Sequence, residues 1–358
     1  MSQAIVIIDD AEYVGWESIE VQRTVDQAAS TFSVGVSSPD KSFMFSPGSV
    51  VSVVYGGSVL VTGYIDTVAV EYSMDTHNIS LEGRSKTKDI VDCSVLQDHL
   101  SEIKNKDIFQ IAQLLCGPYG IQVRKSPGLD DLKKYPKFKP NHGETVHEAL
   151  DRLASDSQVV LSDSPDGHLM LARLGKLATA NTLVRVGTEN TKIKSGRCIL
   201  DESDKYSEVQ VSGQKRGTDD NFGKKVTKIS STRIQDASVK RYRYKLIEAK
   251  HEMGQSDVDM QASFQQSGNV GKGLKVSYTL QDWIGNGGEL WQENRLVSVS
   301  DDMFPTEANA NLLIHSVRYR LDESGTMCEL ELVQPSMTAV DPKSSTGANP
   351  KLKQANPK

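Results

Sequence analysis

Val50-Val51-Ser52-Val53-Val54 and Ser58-Val59-Leu60-Val61, joined by Tyr55-Gly56-Gly57, decide the fold class. β-Branched and other apolar residues dominate both runs, which suits half-buried strands. Paired glycines accept the positive φ of a two-residue turn, so the stretch reads as a tight β-hairpin. Outward from it, Ser18-Ile19-Glu20-Val21-Gln22 and Phe32-Ser33-Val34-Gly35-Val36 alternate apolar and polar residues with period two. Residues 65–70 and 78–83 form another strand pair, joined by Ser73-Met74-Asp75-Thr76. Short alternating strands with regular turns predict a closed barrel or sandwich over residues 1–95.

The same pattern returns near the other end of the chain. Ile65, Val68, Ile79 and Leu81 match Ile314, Val317, Cys328 and Leu330 at a constant offset of 249 residues, so no gap is needed across the hairpin. Upstream, Val51-Ser52-Val53 resembles Val297-Ser298-Val299, with a longer intervening loop in the later region. Alternation alone supplies half of this match. The repeated strand–hairpin–strand order points further, to one barrel type used twice.

Between the two regions the periodicity changes. Residues 106–115 place Ile108, Ile111, Ala112 and Leu115 on one helical face, and Gly117-Pro118 is expected to stop that helix. Residues 124–142, with their Pro, Gly and Lys, read as a loop. Thr145-Val146-His147-Glu148 is a capping-box pattern opening a helix striped by Val146, Leu150 and Leu153. A hairpin over 159–161 and 168–171 follows, turned by Ser164-Pro165-Asp166-Gly167. Strands are then expected at 208–212, 241–247, 274–280 and 295–299, and a helix near 257–266, where Met260 and Phe264 stand four apart. The predicted organisation is therefore a first β-barrel over 1–95 and a small α/β domain over 96–185. A second β-barrel domain over 186–335 carries a helical and loop insertion, and 336–358 forms a polar, disordered tail. The fold class is mainly β with a smaller α/β module.

Composition narrows the functional classes. The chain has 358 residues, 37% hydrophobic and 25% charged, which suits a multi-domain globular protein. No apolar run approaches the roughly 18–20 residues of a membrane span. The N-terminus lacks a basic segment and its apolar run is cut by Asp9 and Asp10, so no signal peptide is expected and the protein should stay in the cytoplasm of the producing cell. A net charge of −6 gives no global basis for wrapping nucleic acid, and Lys133-Lys134 and Lys240-Arg241 read as solvated surface. Cys93, Cys116, Cys198 and Cys328 have neither metal-knuckle spacing nor a disulfide framework.

Nor does a catalytic constellation emerge. His142 and His147 flank Glu144 without HExxH spacing. The glycine-rich segments 268–273 and 285–288 do not follow the phosphate-loop pattern. Asp9-Asp10, Asp130-Asp131, Asp219-Asp220 and Asp301-Asp302 read as solvated turns. Trp16, Trp283 and Trp291 suit either carbohydrate stacking or core and interface anchoring. Accordingly no catalytic, cofactor-binding or metal-binding residue is assigned, and the protein is expected not to be an enzyme.

Four stretches carry a family resemblance. Gly15-Trp16, with Ile19-Glu20-Val21, Arg23 and Phe32, resembles the opening of Mu-like phage baseplate hub proteins. Gly63-Tyr64-Ile65-Asp66, His77 and the run from Leu81-Glu82-Gly83-Arg84 to Asp92-Cys93-Ser94 are similar to that family's most recognisable block. Ser207-Glu208-Val209-Gln210-Val211-Ser212-Gly213-Gln214, then Leu290-Trp291 with Asn294, Leu296-Val297-Ser298-Val299 and Asp301, match later blocks. The resemblance implies a homotrimer related in fold to the hub of T-even phages and the base of type VI secretion spikes. It implies two tube-protein-like barrels per chain, so that three copies join a hexameric tail tube to a trimeric central spike around a DNA channel. The implied partners are a second and third copy, the tail-tube protein, the central spike protein, and other baseplate and tape-measure proteins. No membrane and no sequence-specific nucleic acid are implied, and the implied location is the virion, assembled in the host cytoplasm. Two departures stand out: residues 217–236 match no block, and the helix near 257–266 lacks an expected tryptophan. The alternatives are a tail-associated peptidoglycan hydrolase or a carbohydrate-binding module.

Overall fold

A computed structural model describes residues 3–37, 45–74, 77–157, 159–214, 228–252, 255, 258–259, 262–263, 266 and 273–335. The chain begins with seven strands: β1 (Ala4–Ile8), β2 (Ala11–Tyr13), β3 (Ser18–Thr24), β4 (Thr31–Ser37), β5 (Val50–Tyr55), β6 (Ser58–Tyr72) and β7 (His77–Ser85). The β5–β6 turn is the one expected, with Gly56 and Gly57 at φ 57° and 79°. Next comes an α/β module of α1 (Lys88–Asp92), β8 (Ile103–Asp107), α2 (Ile108–Cys116), β9 (Val123–Lys125), β10 (Lys134–Phe138), α3 (Val146–Ser157), β11 (Val160–Asp163) and β12 (Leu169–Ala172). Then follow β13 (Leu177–Val186), β14 (Glu189–Asn190), β15 (Ile193–Leu200), β16 (Glu208–Gln214), β17 (Lys228–Ser230), β18 (Ile234–Gln235), β19 (Tyr244–Glu252), β20 (Leu274–Gln281), β21 (Arg295–Asp301), β22 (Asn311–Asp322) and β23 (Gly325–Val333). The chain divides into two compact units, one of residues 1–200 and 274–335, the other built on 201–273.

Within the larger unit the duplication is written into the hydrogen-bond ladders. Pairing runs β3-β4-β7-β6-β5-β1-β2 in the first half and β15-β20-β23-β22-β21-β13-β14 in the second. The two lists match strand for strand in chain order. Val68 faces Leu81 and Val70 faces Ile79, while Val317 faces Leu330 and Tyr319 faces Cys328. Each pair is the other displaced by the sequence offset. Even the irregularity repeats: β6 bulges between Ile65 and Thr67, and β22 between Ile314 and Ser316. A bulge adds one residue to one strand and reverses the facing of everything beyond it. One orientation differs, for β1 runs antiparallel to β5 whereas β13 runs parallel to β21.

The halves are not separate sheets. The distal part of β22 pairs with β3 of the first half, from Ser316 opposite Thr24 to Leu321 opposite Ile19, which merges fourteen strands into one continuous sheet. Among the described residues no ladder closes either half on itself. One apolar cluster serves both halves and holds all three tryptophans, with Trp283 and Trp291 fully buried.

The α/β module has its own core, formed by the expected stripes Ile108, Ile111, Ala112 and Leu115 of α2 and Val146, Leu150 and Leu153 of α3. Three boundaries depart from expectation. Lys106 and Asp107 belong to β8, paired with Tyr135 and Lys134, and α2 begins after them because Asp107 and Gln110 form a capping box. Gly117-Pro118 continues into a 3-10 turn, and Gly120, at φ 68°, ends it. Proline is tolerated there because the first turn needs no N–H from it. Residues 124–142 contain β10 rather than only loop; a two-stranded sheet leaves Pro136 an edge where its missing donor is harmless. The Thr145 capping box forms as read, with the Glu148 N–H donating to Thr145 Oγ1 at 3.1 Å and the Thr145 N–H to Glu148 Oε2 at 2.9 Å.

In the smaller unit β16 is flanked by β17, β18 and the parallel β19, over a small core of Val211, Val258 and Ala262. Met260 and Phe264, most of the 268–273 segment, and 336–358 lie outside the described residues.

Gly83 shows how tightly the first half is laced. A Cβ there would lie 2.1 Å from the Tyr64 carbonyl oxygen and 2.4 Å from the Phe32 ring. Gly83→Ala is expected to destabilise the protein by roughly 1–3 kcal/mol, as overpacking does, seen as a lower Tm on thermal denaturation. An unchanged Tm would show that the β6–β7 ladder yields.

Candidate functional site

The alternation of β3 turns Ile19, Val21 and Arg23 inward, so a guanidinium enters the interior at 3% exposure. An arginine carries five donors, no acceptor and a permanent charge, so burial demands several acceptors around it. Arg23 finds them on three segments. Its Nε and Nη2 donate to Glu293 Oε1 at 2.9 and 2.7 Å, just ahead of β21 in the second half. Nη2 also donates to the Asp163 carbonyl at 2.8 Å, at the end of β11 in the α/β module, and Nη1 to the Leu60 carbonyl of β6 at 3.1 Å. The Asp163 carboxylate lies 3.6 Å from Nη1 and accepts from Ser30 Oγ at 2.7 Å. One side chain thus ties first half, module and second half together.

Charge balance in this junction is uneven. Burial works to lower the Arg23 pKa, but Glu293 and then Asp163 raise it above its ordinary value, so the guanidinium stays charged. Burial pushes the Asp163 carboxyl above the usual carboxylate range, against the pull of Arg23 and Ser30. The junction borders a cavity of about 340 Å³ that Lys125, Asn294 and Tyr319 also line. Two carboxylates beside a cavity suggest acid–base chemistry, yet the Asp163 side chain is 1% exposed and already engaged by Ser30 and Arg23. A general acid must reach the proton it moves; here the carboxylates bind protein instead.

A second lock joins the halves. The Tyr55 ring of β5 packs on Trp283 at 4.5 Å, and Trp283 on Tyr319 of β22 at 5.6 Å. Tyr55 donates to Asp282 Oδ1 at 2.9 Å, and burial, then that bond, pushes its pKa up to about 12. Trp283 Nε1 donates to the Arg320 and Met327 carbonyls. Tryptophans buried in this way, Trp16 included, offer no face to a sugar.

The remaining sequence candidates resolve into local structure. Glu144 accepts from Arg152 Nε at 2.7 Å and from the Asn141 N–H at 2.8 Å, and His142 and His147 do not join it in a metal site. Among the described residues no group of His, Cys, Asp and Glu is arranged to hold a metal ion. Asp9 and Asp10 make the β1–β2 turn, with φ of 46° and 68°. Asp301 is buried and accepts from the Tyr278 hydroxyl at 3.0 Å, and Asp302 accepts from the Gly187 N–H. Asp130-Asp131 lies in a connecting segment, and Asp219-Asp220 outside the described residues. Gly285 and Gly287 form a turn held by Glu289 and Asn181. Burial pushes the Cys116 thiol up to about 12 and raises Cys328 and Cys198, so none of these three is an activated nucleophile. Sequence reasoning missed the junction itself; its one signal was a charged residue at an inward position of an alternating strand.

The comparisons with known proteins agree with one another. Residues 3–85 match the model of the Mu phage baseplate assembly protein GpP-like N-terminal domain, 87–173 the baseplate hub protein gp44-like second domain, and 255–341 the GpP fourth domain. The chain is 28% identical over 341 residues to baseplate hub protein gp44 of Escherichia phage Mu, covering 93% of this chain and 88% of that one. In fold it is similar to the 43 kDa tail protein of prophage MuSo2 from Shewanella oneidensis, with a TM-score of 0.82, 24% identity, and 95% and 100% of the two chains covered. It is similar too to a tail protein from Neisseria meningitidis, with a TM-score of 0.78, 23% identity, and 94% and 98% covered.

Removing the cation should reveal the weight of the junction. Arg23→Met leaves Glu293 and Asp163 without their partner and is expected to destabilise by about 3–5 kcal/mol in urea denaturation, as breaking a buried ion pair does. A change below about 1 kcal/mol would assign the linkage to apolar packing alone. A pH series separates the carboxylates. Because the folded pKa of Asp163 lies above its unfolded value of about 4, its unfavourable contribution is absent in acid and grows as pH rises through the folded pKa. Asp163→Asn should therefore gain stability relative to the parent protein as pH rises, and a difference independent of pH would contradict this.

Proposed function

We infer, from a chain that belongs to the Mu-like phage baseplate hub family, that it acts through assembly rather than chemistry. It is a structural protein of the phage tail baseplate. In the proposed assembly three copies form a ring around a DNA channel, with the hexameric tail tube on one side and the trimeric central spike on the other. Two tube-like barrels per chain, expected over 1–95 and 186–335, take as walls the two matching strand sets, the second of which starts already at β13 (Leu177–Val186), and the module between them ends at β12.

One observation carries this reading: the two halves share strand order, register and bulge position. Two equivalent halves in each of three chains give a ring six similar elements, so three-fold symmetry imitates six-fold. A heterologous contact repeated by rotation closes in this way. Other properties fit. The candidate carboxylates are consumed in holding the halves together, which supports a non-enzymatic role. A net charge of −6 suits a bore that lets DNA pass without salt-dependent binding.

Mass photometry of the purified full chain is expected to give three times the 39.3 kDa chain mass, and particle images a three-fold ring with pseudo-six-fold symmetry. Monomer alone over a wide concentration range would overturn the ring.

A further inference from the structure

The duplication leaves an asymmetry. In the second half, β22 runs past its bulge and its free edge is taken by β3 of the first half. The corresponding part of β6, beyond Ile65, pairs with β7 only, and β15, which corresponds to β3, pairs with β20 only, among the described residues. One of the two equivalent junctions is thus made inside the chain. The two edges that would make the other have no partner strand among the described residues.

Burial follows the pairing. Tyr319, on the covered strand, is 1% exposed and Leu321 half-buried, whereas their equivalents on β6, Val70 and Tyr72, are 54% and 83% exposed. On the opposite partner Val21 and Arg23 are buried, whereas their equivalents on β15, Cys198 and Leu200, are half-buried and 53% exposed. Edge strands that show apolar side chains and unpaired backbone groups invite another strand.

The ladders also supply the register. Val21 faces Phe32, which faces Gly83; Cys198 faces Val276, which faces Leu332, and Gly83 and Leu332 stand at the repeat offset. Cys198 therefore takes the place of Val21, and Arg197 that of Glu20. Within the chain Tyr319 faces Val21 and Arg320 faces Glu20, antiparallel. Shifting that pairing by the repeat offset puts Val70 opposite Cys198, Glu71 opposite Arg197 and Val68 opposite Leu200. Apolar residues meet apolar residues, and the charge pair is preserved with its sign reversed.

We propose that β6 of one copy, over Val68–Tyr72, pairs antiparallel with β15 of a second copy, over Gly196–Leu200, in this register, and so continues the sheet from chain to chain. The contact is heterologous and reproduces between chains the β22–β3 junction inside each one. It rests on the ring reading above and names the surface by which the ring closes.

The test uses the full chain. Facing residues across antiparallel strands have Cα atoms about 4.5–5.5 Å apart, within the span of a disulfide. Val70→Cys should therefore cross-link to the native Cys198 of a neighbour under mild oxidation, giving covalent dimers and trimers on a non-reducing gel. Val70→Cys combined with Cys198→Ser should give none. Charge reversal gives an independent readout: Glu71→Arg or Arg197→Glu alone should weaken association by up to about fivefold per contact, and the two together should restore it. If the parent protein is trimeric but Val70→Cys does not cross-link and the double reversal does not rescue, the edge pairing is overturned while the ring stands. If the parent protein is monomeric throughout, both are overturned.

Discussion

Everything in the larger unit depends on how a permanent charge is accommodated in an apolar interior. Arg23 has no neutral form available to it, so the chain must bring acceptors to it. It does so with Glu293, Asp163 and the Leu60 carbonyl, drawn from three segments far apart in sequence. The arrangement is demanding, because each partner left alone would be a buried, unsatisfied group. That demand specifies how the first half, the α/β module and the second half meet. The Tyr55–Trp283–Tyr319 stack secures the same meeting by dispersion and area.

The second organising feature is the shared bulge. By reversing the facing of β6 and β22 at equivalent points, it lets one long strand serve the core before the bulge and a junction after it. In β22 the second task is fulfilled within the chain. In β6 the same geometry ends at an edge that no described strand covers, with exposed valine and tyrosine. Among the described residues the chain thus carries one paired and one unpaired copy of a single junction, and the proposed assembly rests on that difference.

Contact residues lack the compositional signature of catalytic ones. The tryptophans show this well. As isolated letters they suit sugar platforms or core anchors equally, and burial of Trp283 and Trp291 decides for the core. Carboxylate doublets behave likewise: Asp301 is consumed by Tyr278, and Asp9 and Asp10 by a turn.

Local physics was legible in the letters. The Gly56-Gly57 turn, the Thr145 capping box, the stripes of α2 and α3 and the offset between Ile65–Leu81 and Ile314–Leu330 all involve neighbours in sequence or a repeated pattern, and each appears as read. What failed locally did so where a distant strand intervened, as when β10 captured Lys106 and Asp107 from the expected start of α2. The Arg23 junction, the merging of the halves through β22 and β3, and the edges of β6 and β15 that no described strand covers were decided only by the tertiary structure. The Arg23–Asp163, Arg23–Glu293 and β22–β3 contacts join residues more than a hundred positions apart, and alternation specifies which face a residue takes without specifying which strand it meets.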